Sequence, residues 1–106
     1  PMRLTTAERT AIAQAARETL PPGAKVSLFG SRVDDNRRGG DIDLLIEPNM
    51  ALPPVEQVAL RTRLAARLYR TMGERRIDIV LAALGMADER LIVSEARRQA
   101  VEVVRT

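Results

Sequence analysis

Two short apolar runs lie near the middle of the chain, each bounded by turn residues. Lys25-Val-Ser-Leu-Phe29 is β-branched and apolar and stops at Gly30, while Asp41-Ile-Asp-Leu-Leu-Ile46 has two glycines before it and Pro48 behind it. Both patterns predict strands that enter a core. Strand side chains alternate between faces, so Ile42, Leu44 and Ile46 point one way and Asp41 and Asp43 project together the other way. A third run, Arg76-Ile-Asp-Ile-Val-Leu81, sets Asp78 between two β-branched residues, and Val101-Glu-Val-Val104 predicts a short edge strand.

Between these runs the apolar period changes to that of a helix. Thr5-x-x-Glu8 is a capping box opening a helix that carries Ala7, Ala11, Ile12, Ala15, Ala16 and Leu20 and is closed by Pro21-Pro22-Gly23. Pro53 and Pro54 lead into a long helix reaching about Met72, with Val55, Val58, Ala59, Ala65, Leu68 and Met72 as its expected apolar stripe and Gly73 as its stop. Asp88 is the expected cap of a last helix to about Gln99, and Ser31 that of a short helix after the first strand. The predicted order is α-β-α-β-α-β-α-β. It describes a single α/β (α+β) domain over residues 1–106, a small mixed β-sheet flanked by helices, with no internal repeat or linker.

Composition narrows the chemistry by elimination. The 106 residues are 45% hydrophobic and 29% charged, the values of a globular domain. Cysteine and histidine are both absent, which removes disulfides, a thiol nucleophile, a histidine base and an ordinary zinc site. Carboxylate chemistry survives. No apolar run approaches the roughly 18 residues of a membrane span, and no signal-peptide core is present at the N-terminus, so the expected location is the cytoplasm. The net charge of +3 comes from 17 basic and 14 acidic residues. Sixteen of the basic residues are arginine, a bias that suits nucleotide binding or an acidic protein partner. Phe29 and Tyr69 are too few aromatics for a base-stacking nucleic-acid platform. Arg63, Arg67 and Arg70 on the long helix are read as a solvated face rather than a nucleic-acid surface, with a protein interface left open, and Arg37 and Arg38 as solvated loop charge in preference to a contact with a triphosphate or a partner.

The paired carboxylates and the Gly30-Ser31 turn belong to one chemistry. Asp41 and Asp43 repel each other and need a compensating cation, and their hard oxygens suit Mg²⁺ bridging to substrate phosphates. Gly30 lets backbone approach a ligand closely, and phosphate oxygens would sit on the N–H groups of Gly30 and Ser31. Arg32, next in the turn, is read equally as a ligand contact or a structural ion pair. Each residue has a plain alternative: a turn glycine, an N-cap serine, a salt-bridged aspartate. Two acids in one buried-looking strand, however, cost too much without cations.

The words Leu28-Phe-Gly-Ser-Arg32 and Gly40-Asp-Ile-Asp-Leu-Leu45, nine residues separating Ser31 from Asp41, resemble the signature of the DNA polymerase β-like nucleotidyltransferase superfamily. They are most similar to its minimal nucleotidyltransferase (MNT) branch, of the antitoxin type. The chain has Gly40 where many relatives carry Ser, so one side-chain contact is lost. The resemblance implies the nucleotidyltransferase fold, a catalytic and metal-binding triad of Asp41, Asp43 and Asp78 holding two Mg²⁺ ions, and an NTP bound at Gly30, Ser31 and Arg32. It further implies a HEPN-domain partner, to which AMP from ATP would be transferred on a hydroxyl as the antitoxin's action. The alternatives are a non-catalytic NTP- or partner-binding subunit and a transferase acting on a small molecule. Oligomeric state stays open.

Overall fold

A computed structural model describes residues 4–30, 41–73 and 75–106. In chain order the elements are α1 (Thr6–Thr19), β1 (Lys25–Phe29), β2 (Ile42–Glu47), α2 (Pro54–Met72), β3 (Ile77–Leu81), α3 (Leu91–Gln99) and β4 (Val101–Arg105). The expected short helix at Ser31 and the loop after it lie outside the described residues.

The strands form one mixed sheet in the order β3-β2-β1-β4. β1 runs antiparallel to both β2 and β4, whereas β2 and β3 are parallel. The parallel pair needs a crossover, and α2 supplies it. Alternation then sorts the side chains. Val26, Leu28, Ile42, Leu44, Ile46, Ile77 and Leu81 enter the main core beneath α1 and α2, and Phe29 and Leu45 enter a smaller one with Val93 and Ala96 of α3. Among the described residues the sheet therefore lies between α1 and α2 on one face and α3 on the other. Among the described residues no helix is long and apolar enough to cross a membrane.

Local signals account for most element ends. Thr5 Oγ1 accepts the Glu8 N–H at 3.0 Å and Glu8 Oε1 accepts the Thr5 N–H at 2.9 Å, completing the capping box. Glu8 also meets Arg75, joining the start of α1 to the approach to β3. Ala11, Ile12, Ala15 and Ala16 are buried as the pattern requires, while Ala7 stays exposed in the first turn.

Two helix readings are corrected by the structure. Of the expected α2 stripe, Leu68 is buried and Met72 packs against the main core, but the buried line is Leu60, Leu64 and Leu68, while Ala59 is exposed and Val55 and Val58 remain 80% and 59% exposed. At about 100° per residue, Val55 sits roughly 140° and Val58 roughly 200° away from Leu60 around the axis, so the leucine line and the valines cannot face one core. Asp88 does not cap α3: the N-cap is Arg90, with no side-chain cap bond. Asp88 instead accepts the Arg90 N–H at 3.1 Å and grips the guanidinium at 2.9–3.0 Å, and Arg90 Nη2 donates to the Leu81 carbonyl at 2.6 Å. Asp88 thus folds back on Arg90, two residues ahead, through both its backbone N–H and its guanidinium, and the helix begins only after Arg90.

Candidate active site

The end of β1 and the beginnings of β2 and β3 meet at one edge of the sheet's α3 face. Asp43 pairs in register with Phe29 on one side and with Asp78 on the other. Parallel pairing puts register partners on the same face, so Asp43 and Asp78 stand side by side although 35 positions separate them in sequence. Asp41 lies immediately before β2, close enough for its charge to act on Asp43.

Asp43 is the most constrained of the three. Burial first, then the charge of Asp78, a hydrogen bond shared with Asp78 and the charge of Asp41 hold its carboxyl above the usual carboxylate range; Arg76 pulls it partly back. Arg76 Nε lies 3.6 Å from Asp78 Oδ2, with both side chains well exposed. Among the described residues the solvated Arg76 guanidinium faces the clustered carboxylates and compensates them weakly.

Gly30 closes the site from the β1 side. Its φ is +77°, a conformation that favours glycine. A Cβ added there would fall into the Asp43 carboxylate and lie 3.0 Å from Asp43 Cγ, so the missing side chain is the space in which that carboxylate sits. The Gly30 N–H donates to Gln99 Oε1 at 3.0 Å. The sequence reading gave that N–H to a phosphate; here it is bonded to the last residue of α3.

Of the sequence-predicted set, the structure brings Gly30, Asp41, Asp43 and Asp78 together, while Ser31 and Arg32 lie outside the described residues, as do Arg37 and Arg38. Two residues of the site were not singled out. Arg76 shares strand parity with Asp78, and that signal was available; Gln99 carries none, being an unremarkable helix-end residue far along the chain. Of the arginines on α2, Arg67 Nη1 bonds Glu18 Oε2 of α1 at 2.7 Å, whereas Arg63 and Arg70 are exposed.

The donor set fits Mg²⁺. The Asp43 carboxyl, pushed toward its protonated form by burial and its acidic neighbours, would gain from a divalent cation, and Mg²⁺ is commonly held by one or two carboxylates with substrate phosphates completing its shell. Among the described residues no three acidic side chains form a ready metal cage. A cleft of about 200 Å³ lined by Pro48, Leu52, Leu81, Ala83, Met86 and Arg90 opens at the opposite end of β2 and β3, away from these carboxylates.

No family model and no curated protein matches the chain. Solved structures do. A chain of the toxin–antitoxin MntA–HepT superposes with a TM-score of 0.60 at 20% identity, over 96% of this chain and 74% of that one. A toxin–antitoxin structure with AMP-PNP gives 0.61 at 21% identity, over 92% and 73%. A complex of a tri-AMPylated Shewanella oneidensis HEPN toxin with an MNT antitoxin gives 0.60 at 21% identity, over 93% and 71%. At these identities the likeness establishes the fold alone: among the described residues, three helices about a four-stranded mixed sheet, an α+β fold shared with these toxin–antitoxin structures.

Proposed function

We propose that this chain is a Mg²⁺-dependent nucleotidyltransferase that moves AMP from ATP to a hydroxyl of a HEPN-type partner protein, as the antitoxin of a toxin–antitoxin pair. The observation that carries the reading is the in-register Asp43–Asp78 pair, with Asp41 beside it, packed against a glycine whose missing Cβ makes room for it. The fold shared with toxin–antitoxin structures, one of them with AMP-PNP and another with an AMPylated HEPN toxin, supports the partner and the nucleotide.

Asp41, Asp43 and Asp78 would hold the metal, two ions in the full reading. Bound there, Mg²⁺ would neutralise charge building on the oxygens around the α-phosphorus. The chain's own part is positional. Asp43 is fixed between Phe29 and Asp78 by strand pairing, and Gly30 brings backbone up to it. In the transfer, the acceptor oxygen bonds the α-phosphorus while the bond to pyrophosphate breaks, and the acceptor proton passes to a base. Asp78, about half exposed at the rim, is the carboxylate an incoming hydroxyl reaches. Ser31 and Arg32 are proposed as the nucleotide contacts that follow Gly30 in the chain.

The test is incubation with α-labelled ATP, Mg²⁺ and the candidate HEPN protein, followed by location of the label. Label on a partner hydroxyl is expected, and Asp41→Asn or Asp43→Asn should abolish it without preventing complex formation. A complex that forms with no transfer under any NTP would replace this reading with a sequestering subunit, and label on added small molecules alone would indicate a free-standing transferase.

A further inference from the structure

Gly30 takes φ +77°, which glycine adopts as readily as its alternatives, so its place beside Asp43 depends on what pins the strand end before it. One such bond comes from the end of α3, on the same face of the sheet, and pins the Phe29–Gly30 peptide plane. The Gly30 N–H can donate only to an acceptor, so the partner atom at 3.0 Å is the side-chain carbonyl of Gln99, 69 positions later. Gln99 is itself well anchored, because α3 is seated by its neighbour Arg97. Arg97 donates to Glu47 Oε2 at 3.0 Å, to the Met86 carbonyl at 2.7 Å and to the Ala83 carbonyl at 2.8 Å, and Val93 and Ala96 are fully buried beneath the helix.

We infer that Gln99 is a positioning residue of the candidate active site: its amide carbonyl holds the Phe29–Gly30 peptide plane and so keeps the Gly30 backbone where it borders the Asp43 carboxylate. The inference rests on the nucleotidyltransferase reading and adds a residue to it. If that peptide plane turned, the backbone beside Asp43 would move and the carboxylate would lose the wall that aims it. Outer partners that orient a metal-binding group typically change metal affinity by about tenfold or more when removed, which sets the size of the expected effect.

The test compares wild type, Gln99→Leu and Gln99→Glu, the last keeping an oxygen acceptor on a side chain of equal length. Two quantities are read: amide hydrogen exchange at Gly30 and across the sheet, and the Mg²⁺ concentration that half-saturates ATP binding in calorimetry. In Gln99→Leu the Gly30 amide should exchange faster while the sheet stays protected, and the Mg²⁺ requirement should rise about tenfold. Gln99→Glu should restore Gly30 protection and a Mg²⁺ requirement no higher than that of wild type. A Leu variant with wild-type Mg²⁺ dependence would overturn the inference and leave the nucleotidyltransferase reading intact. If Gln99→Leu loosens the whole sheet, the Glu variant decides: a folded Glu variant that binds Mg²⁺ tenfold more weakly overturns the role, and wild-type binding upholds it. Absence of Mg²⁺-dependent ATP binding in wild type would remove the parent reading and this inference together.

Discussion

Asp43 binds its proton more tightly in the folded protein than in an unfolded chain, because it is partly buried beside two other carboxylates. A raised folded pKa means the native state takes up more protons, so the contribution to stability is complete below 3.8, falls as pH rises through the folded value, and becomes a net penalty at neutral pH. Asp43→Asn should therefore raise the Tm of the metal-free protein at pH 7, and the gain should vanish as the pH approaches 3.8. Mg²⁺ with ATP should raise the Tm of wild type at pH 7 and leave Asp43→Asn nearly unmoved; thermal scans across pH check both. Ser27 is a different kind of cost. Its hydroxyl is fully buried on the α3 face of β1 and meets no hydrogen-bond partner among the described residues. Ser27→Ala should leave stability unchanged or raise it by about 1 kcal/mol in denaturant unfolding, since it removes an unsatisfied polar atom.

The elements most legible in the sequence are those whose reason is local. The capping box of α1 is a contact between residues three apart, and the alternation in Asp41–Ile46 assigns faces without knowledge of any neighbour. On α2 the expected stripe holds at Leu68 and Met72 and fails at Val55 and Val58, which look apolar yet lie off the leucine line that the sheet selects, and Asp88 is drawn to Arg90 instead of the helix start. α3 is held by a contact that no local rule contains. Glu47 is buried, and Arg97 from 50 positions away neutralises it while also capping two loop carbonyls. Arg97→Met should cost about 3 kcal/mol, because it leaves a buried carboxylate unpaired, whereas Glu47→Gln should cost less. Chemical denaturation of the two variants measures the asymmetry.

On the scale of the whole molecule, the candidate site is a product of topology. Asp41 and Asp43 were visible as a pair because they are two residues apart, and Asp78 followed from the family resemblance. Their meeting depends on β3 lying parallel beside β2 in the order β3-β2-β1-β4, which a strand pattern alone does not specify. The same topology leaves the carboxylates at an edge where Asp78 and Arg76 are well exposed, an arrangement that suits an acceptor delivered from outside the domain. The proposed role of this edge is that of a metal-dependent nucleotide site. Calorimetric titration of ATP into the protein, with Mg²⁺, with EDTA and with Asp43→Asn in Mg²⁺, tests it most directly. Saturable binding in Mg²⁺ that is lost in EDTA and in the variant is the predicted result, and equal affinity under all three conditions would contradict it.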